Sequence, residues 1–243
     1  MTELERVEAE GYAVFCELAG GTVTRLNGGL CLDTPFPALE LNRVTGVSDE
    51  LDLDAVADAY AGKDHLVSVP PWLEQLAPRL EARGYTRGYA WMKFERGVDP
   101  APPVQTALRI EDADDPRLFG ATIAEGFGAP ADAAPAFALA RRTGWHCFLA
   151  WEGDEPVAAG SLFVDGGVAW FGGAATRPAF RGRGAQTALL AARIERAREV
   201  GARRLCVETG ERVPARPDQS YRNILRAGFR EAYLRPNWRS PAR

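Results

Sequence analysis

The residues best placed for chemistry lie in one short stretch, Thr176-Arg177-Pro178-Ala179-Phe180-Arg181-Gly182-Arg183-Gly184-Ala185-Gln186. Arginines alternate with glycines here, between a strand pattern and a helix pattern, and that combination suits an anion. Glycine tolerates positive φ and lets the backbone come close to a ligand. The first amides of a helix have no acceptor within it. Those of Arg183, Gly184, Ala185 and Gln186 therefore point outward, and the partial positive charge of the helix start adds to them. Such a cradle fits a pyrophosphate, with Gly182 giving room and Arg181 and Arg183 giving charge beside it. A solvated Arg/Gly turn before an ordinary helix has the same composition, and the stretch alone does not separate the two readings.

Little else in the chain offers reactive groups. Cys16, Cys31, Cys147 and Cys206 lie far apart with no C-x-x-C pair, and three of them sit in apolar runs, which reads as buried free thiols. His65 and His146 have no metal-ligand spacing, so no metal site is expected. A net charge of −4 argues against a nucleic-acid partner. No apolar run approaches the roughly 20 residues that span a bilayer. The opening MTELERVEAE has no apolar h-region. A cytoplasmic protein without a membrane partner is the expectation.

The elements that must position the loop follow from periodicity and turn residues. Three prolines in Gly97–Pro103 read as a linker, dividing the chain into 1–98, a linker at 99–103, and 104–243. In the second part, strand Ala107–Ile110 is followed by helical patterns at Pro116–Gly126 and Ala131–Arg142. Strands Cys147–Trp151, Pro156–Val164 and Val168–Thr176 come next, the last two joined by the hairpin signal Asp165-Gly166-Gly167. After the loop, a helix runs to about Val200 with Leu190, Ile194 and Ala197 on one face. Strand Arg204–Thr209, helix Ser220–Ala227 and strand Arg230–Arg235 complete that part. The fold class expected is α/β (α+β), a mixed, mostly antiparallel sheet flanked by helices.

The first part echoes the same order. It reads as strands Tyr12–Leu18, Thr22–Leu26, Leu30–Asp33 and Leu39–Val47, helix Leu53–Tyr60, strand Leu66–Val69, helix Trp72–Arg83 and strand Arg87–Phe94. Both parts end on a helix, a glycine and an aromatic: Gly84-Tyr85 and Gly228-Phe229. A diverged tandem duplication explains this, and so do two unrelated α/β units with common turns.

The segment Thr176–Leu190 resembles the acetyl-CoA loop of the GNAT superfamily of N-acyltransferases, whose pattern is Arg/Gln-x-x-Gly-x-Gly/Ala. Arg181 and Gly184 match it, while Gln186 stands where the family usually has Gly or Ala. The element order from about Thr106 to Trp238 is also similar. The resemblance implies tandem GNAT-like halves, the first degenerate, with acetyl-CoA as cosubstrate. It implies that Ala174, Ala175 and Thr176 line the thioester arm, and that the loop Arg181–Gln186, Ala185 included, holds the pyrophosphate. An acceptor amine would attack the acetyl carbonyl directly, after losing a proton to a base. Glu208 is the candidate base, set against the plainer reading of a surface or salt-bridged carboxylate. The family's tyrosine position holds Ile224, so Tyr221, one turn earlier, is the candidate acid; packing with its hydroxyl at the surface is the alternative. Asn223 belongs to a Ser-x-Arg-Asn run seen in some members and joins the cofactor-binding candidates.

In the first part, Ser48-Asp49-Glu50-Leu51-Asp52 precedes the corresponding helix and has no Arg-Gly pair, so no coenzyme A site is expected there. That part would complete the sheet, wall the acceptor pocket with Trp72, Tyr89 and Trp91, or mediate contacts in a homodimer. The reading is an N-acetyltransferase acting on a small-molecule or peptide amine. A non-catalytic acyl-CoA sensor is the alternative.

Overall fold

The structure, a computed structural model, describes residues 1–214 and 217–241. In chain order the first elements are α1 (Glu3–Leu18), β1 (Thr22–Leu26), β2 (Gly29–Asp33), β3 (Arg43–Thr45), α2 (Leu53–Tyr60), β4 (Leu66–Ser68), α3 (Leu76–Glu81) and β5 (Thr86–Arg96). Then come β6 (Arg109–Asp112), α4 (Pro116–Phe127), β7 (Trp145–Glu152), β8 (Glu155–Asp165), β9 (Val168–Phe171) and β10 (Ala174–Thr176). The last are α5 (Ala185–Glu199), β11 (Arg204–Gly210), α6 (Gln219–Arg226) and β12 (Arg230–Arg239). Contacts group the chain into two units: residues 1–93, 208–213 and 231–243 form unit 1, and 94–207 with 214–230 form unit 2.

Unit 1 carries strands in the order β1-β2-β3-β4-β12-β5. β1, β2 and β3 pair antiparallel in sequence, and α2 crosses over so that β3 and β4 run parallel. Val44, Val56, Val67, Leu76 and Leu80 build its core. The chain's last strand, expected to complete the second part, instead pairs with β4 through Asn237↔Ser68, Trp238↔Val67 and Arg239↔Leu66. Side chains reinforce that pairing, for Ser68 Oγ donates to Asn237 Oδ1 at 2.8 Å and Asn237 Nδ2 donates to the Tyr89 carbonyl at 2.8 Å.

The strand expected at Tyr12–Leu18 belongs to α1. Thr2 caps that helix, its hydroxyl accepting from the Glu5 amide at 3.4 Å, and Glu3 and Glu5 favour its positive end. Leu4, Val7, Gly11 and Phe15 recur at helical spacing on the buried face. The helix expected over Ala131–Arg142 is a 3-10 segment, Ala131–Phe137, with Pro135 inside it, where a missing amide and a ring clash disfavour an α-helix.

Unit 1 also buries a charge cluster. Arg235 makes a two-pronged bond to Glu8 at 2.7 and 2.8 Å and reaches Glu5 at 2.7 Å and Glu208 at 2.8 Å. Lys93 binds Glu8 and also Glu208. Tyr233 donates to Glu5, and Tyr12 donates to Glu208 at 3.0 Å. The side chains of Lys93, Arg235 and Glu8 are fully inaccessible, and that of Glu208 is 4% exposed. Burial alone would push Glu8 up, but the charges and hydrogen bonds of Arg235 and Lys93 outweigh it and hold its carboxyl far below the usual range. Removing one partner leaves an uncompensated buried charge, which is the expensive event in such a pair.

Glu8→Gln should therefore destabilise the protein by about 3–5 kcal/mol at neutral pH, read from denaturant midpoints. Because its folded pKa is depressed, the stability Glu8 confers is complete above its unfolded value, near 4.5, and lost as pH falls further. The wild type should show that acid-side slope and Glu8→Gln should show less of it.

Candidate functional site

The candidate site lies in unit 2, where the strand order is β11-β9-β8-β7-β6 and β10 pairs only with β8. α5 lays Ala185 and Leu189 against Leu108, Phe148, Val157 and Ala158. That packing fixes where the helix begins. β9 runs parallel to β11, and the pairing ends at Phe171↔Val207.

The strand run expected over Val168–Thr176 is broken by a bulge. β8 and β9 pair Phe163 with Trp170, whereas β8 and β10 pair Gly160 with Ala174, so the register slips by one residue. Gly172 and Gly173 together face Ser161, as in a β-bulge. A side chain at Gly172 would meet Ser161 Oγ at 2.8 Å and two tryptophan rings, so only glycine fits. Ser161 holds the bulge from β8, donating its amide to the Gly173 carbonyl at 3.0 Å and its hydroxyl to the same oxygen at 3.2 Å.

Beyond the bulge, the Arg177 amide donates to the Val157 carbonyl at 3.0 Å. In an antiparallel ladder alternate residues face the partner, so residues 173, 175 and 177 bond to β8. The amides of Ala174 and Thr176 thus face the edge that β8 leaves free. An extended chain bearing amides can add itself to such an edge.

The loop completes the site. Gly182 has φ +82° and Gly184 +84°. Gly184 is the N-cap of α5 with no side-chain cap. The first backbone bond of the helix is Ala188 N–H to Gly184 C=O, at 3.1 Å. Among the described residues, no backbone or side-chain acceptor serves the amides from Gly182 to Thr187. The corner is open: a Cβ on Gly182 would meet nothing within 4 Å, and one on Gly184 only Thr106 Oγ1 at 3.9 Å.

The corresponding helix of unit 1 differs where it matters. Asp52 caps α2, its carboxylate accepting from the amides of Asp54 at 2.9 Å and Ala55 at 3.2 Å. The anion at that helix start is the chain's own. The helices α3 and α6 nevertheless end alike. Gly84 and Gly228 adopt φ +80° and +82°. The Tyr85 amide returns to Leu80 C=O and the Phe229 amide to Ile224 C=O, at 3.1 and 3.3 Å.

The two loop arginines are not free charges. Arg181 donates to the carbonyls of Thr176 at 3.3 Å and Gly126 at 3.0 Å, tying the loop to β10 and to the end of α4. Arg183 pairs with Glu152 at 2.5 Å and lies over the Phe180 ring. Gln186, the departure from the family pattern, donates to Thr176 Oγ1 at 2.9 Å and braces loop against strand. Asn223 accepts from Gln219 at 2.8 Å within α6. Tyr221 is 4% exposed, packed edge-on against Phe94 at 4.8 Å, so it is buried and not a surface hydroxyl. Glu208 belongs to unit 1, and its oxygens meet Lys93, Arg235 and Tyr12; the salt-bridged setting is the one observed. Trp91 and Tyr12 flank the Arg43 guanidinium, at 5.0 and 4.7 Å. Among the described residues, no group of His, Cys, Asp and Glu could hold a metal ion, and no helix is long and apolar enough to cross a membrane.

Residues 111–217 match the model of the acetyltransferase (GNAT) family. That stretch is a GNAT acetyltransferase domain by the family model, and the mixed, mostly antiparallel sheet flanked by helices matches the GNAT fold. Among solved structures, a GCN5-related N-acetyltransferase from Kribbella flavida is similar at TM-score 0.68 and 17% identity, covering 100% of this chain and 97% of that one. One from Sphaerobacter thermophilus is similar at TM-score 0.61 and 20% identity, covering 79% of this chain; this chain spans 65% of its length. A tandem GNAT protein from the clavulanic acid biosynthesis pathway matches at TM-score 0.62 and 17% identity, covering 87% and 78% of the two chains. At these identities the likeness is one of fold. No curated protein matches the sequence.

The end of α4 presses closely on the site strand. A Cβ on Gly126 would lie 2.6 Å from Ala175 Cβ and 3.1 Å from the Thr176 amide nitrogen. Alanine gains about 1 kcal/mol of helix propensity, but overpacking against backbone costs about 1–3 kcal/mol. Gly126→Ala should lower the denaturant midpoint, because neither strand backbone nor Ala175 can rotate away.

Proposed function

We propose that this protein is an acetyl-CoA-dependent N-acetyltransferase whose cosubstrate binds to unit 2. The observation that carries the reading is the set of outward amides from Gly182 to Thr187, at a helix start that no side chain caps. An anion with several oxygens satisfies such a cluster, and the helix dipole adds to the attraction. The free edge of β10, reached through Ala174 and Thr176, gives the amide-bearing pantetheine arm a strand to pair with. Arg181, Arg183 and Gln186 serve by shaping the loop, as their protein partners indicate.

The thioester supplies an activated acetyl group, and the reaction is direct attack by an amine. A backbone amide near Ala174 would stabilise the charge developing on the carbonyl oxygen. For proton removal we propose Glu208, whose carboxylate accepts from the Tyr12 hydroxyl. Burial first, and the nearby Glu8 charge second, push Glu208 up despite Lys93 and Arg235, the direction a base requires. The thiolate leaving group, with a pKa near ~8.5, departs with little help. Tyr221 as acid would therefore matter modestly, and Asn223 would steady α6. The acceptor is a small-molecule or peptide amine.

Unit 1 is proposed to be a diverged copy that does not bind coenzyme A, since Asp52 already occupies the corresponding helix start. The alternative, an acyl-CoA sensor, draws support from the ion pairs that engage Glu208.

Acetyl-CoA should raise the melting temperature of the wild type. Gly184→Asp should abolish that shift, because it sets a carboxylate among the amides and strains a position at φ +84°. Arg181→Ala should weaken binding by about tenfold, a loss of about 1.4 kcal/mol. Thiol release across a panel of amines then separates enzyme from sensor: binding without release supports the sensor, and no binding removes both. In an active enzyme, Glu208→Gln should lower kcat/KM about a hundredfold, within the range for lost proton transfer, with acetyl-CoA affinity unchanged.

A further inference from the structure

Arg193, on the inward face of α5, is 2% exposed, and burial pulls its pKa down to about 9. Among the described residues its guanidinium bonds only to backbone carbonyls, and it lies over the Phe171 ring at 5.1 Å. Nε donates to Leu189 C=O at 3.0 Å in its own helix. Nη1 donates to Ser161 C=O at 3.1 Å and approaches Gly172 C=O at 3.5 Å. The Ser161 carbonyl belongs to β8 and the Gly172 carbonyl to the bulge that faces it. A Cβ on Gly160 would sit 3.3 Å from both Cζ and Nε, so the strand is bare where the guanidinium passes.

Burying a cation in an apolar core without a carboxylate is costly, and a leucine or methionine would fill the space without that penalty. What the guanidinium does that an apolar side chain cannot is grip carbonyls on β8 and at the end of β9 at once. The same helix begins at the amide cluster and carries Arg193 two turns further on. One helix thereby links the amide cluster to the bulge between β9 and β10.

We infer that Arg193 is a positioning residue that holds the Gly172–Gly173 bulge, and with it the free edge of β10, in register with the phosphate loop, so that the thioester arm and the pyrophosphate are bound together. This rests on the proposed coenzyme A site. Without the guanidinium the cradle persists, since its amides belong to the helix start, while the strand edge loses its fixed spacing. The arm should then bind poorly and the phosphates normally.

The test compares two ligands by calorimetry: coenzyme A, and 3′-phosphoadenosine 5′-diphosphate, which has the pyrophosphate but no pantetheine arm. Arg193→Met should weaken coenzyme A by about tenfold and leave the truncated ligand within about twofold. Arg193→Lys, which can reach one carbonyl, should fall between. Gly160→Ala, which crowds the guanidinium from the strand side, should shift the same ratio in a protein that keeps Arg193, and it decides the matter if Arg193→Met does not fold. Equal weakening of both ligands, or no change in the ratio, overturns the inference while leaving the cofactor reading intact. A folded wild type that binds neither ligand overturns the cofactor reading and this inference with it.

Discussion

A helix cannot satisfy its own first amides, and most of this structure can be understood from how that constraint is met at two places. At α2 the chain supplies Asp52, and the account is closed. At α5 it supplies Gly184 in the left-handed conformation, with no side chain to accept, and leaves the corner open. The two helices follow strands of the same order and precede parallel strands, so the difference does not arise from topology. At the two cap positions both the residue and its backbone differ, Asp52 being extended and Gly184 left-handed.

The side chains around the open corner bond to the protein itself. Arg181 and Gln186 hold the loop to β10, Gly126 lets α4 lie against that strand, and Gly172 and Gly173 turn the strand aside. Arginines that a composition-based reading assigns to charge complementarity here act as struts. In the proposed site the electrostatics fall to the backbone, whose dipoles need no rearrangement when an anion arrives. In unit 1, the charged residues follow another logic. Glu5, Glu8 and Glu208 pair with Lys93 and Arg235 away from water, so losing any one of these partners leaves buried charge unpaired.

Much of the loop region was legible in the sequence because it is local. Alternating Arg and Gly between a strand and a helix, Asp165-Gly166-Gly167, and the Gly84 and Gly228 endings depend on neighbours a few residues away. The structure departs from the sequence pattern once locally and once through partners distant in the chain. Tyr12–Leu18 carries strand-like residues, and only the cap at Thr2 with the spacing back to Leu4 identifies the helix. The pairing of β12 with β4 joins residues some 170 positions apart, and no local signal marks it. Lys93 in the apolar run Ala90–Phe94 and Arg193 among Leu190, Ile194 and Ala197 were visible as ions on buried faces. Reading them that way would have pointed to a buried counter-charge for the first and to carbonyl partners for the second.

The central claim is that main-chain N–H groups at the start of α5 bind the diphosphate of coenzyme A. Amide nitrogen and proton chemical shifts, followed residue by residue while coenzyme A is titrated in, address it most directly. The account predicts large, saturable downfield shifts for the amides of Gly182 to Thr187, with those of Asp54 and Ala55 at the start of α2 unmoved. Saturable shifts elsewhere in the chain, with the six loop amides unchanged, would contradict it.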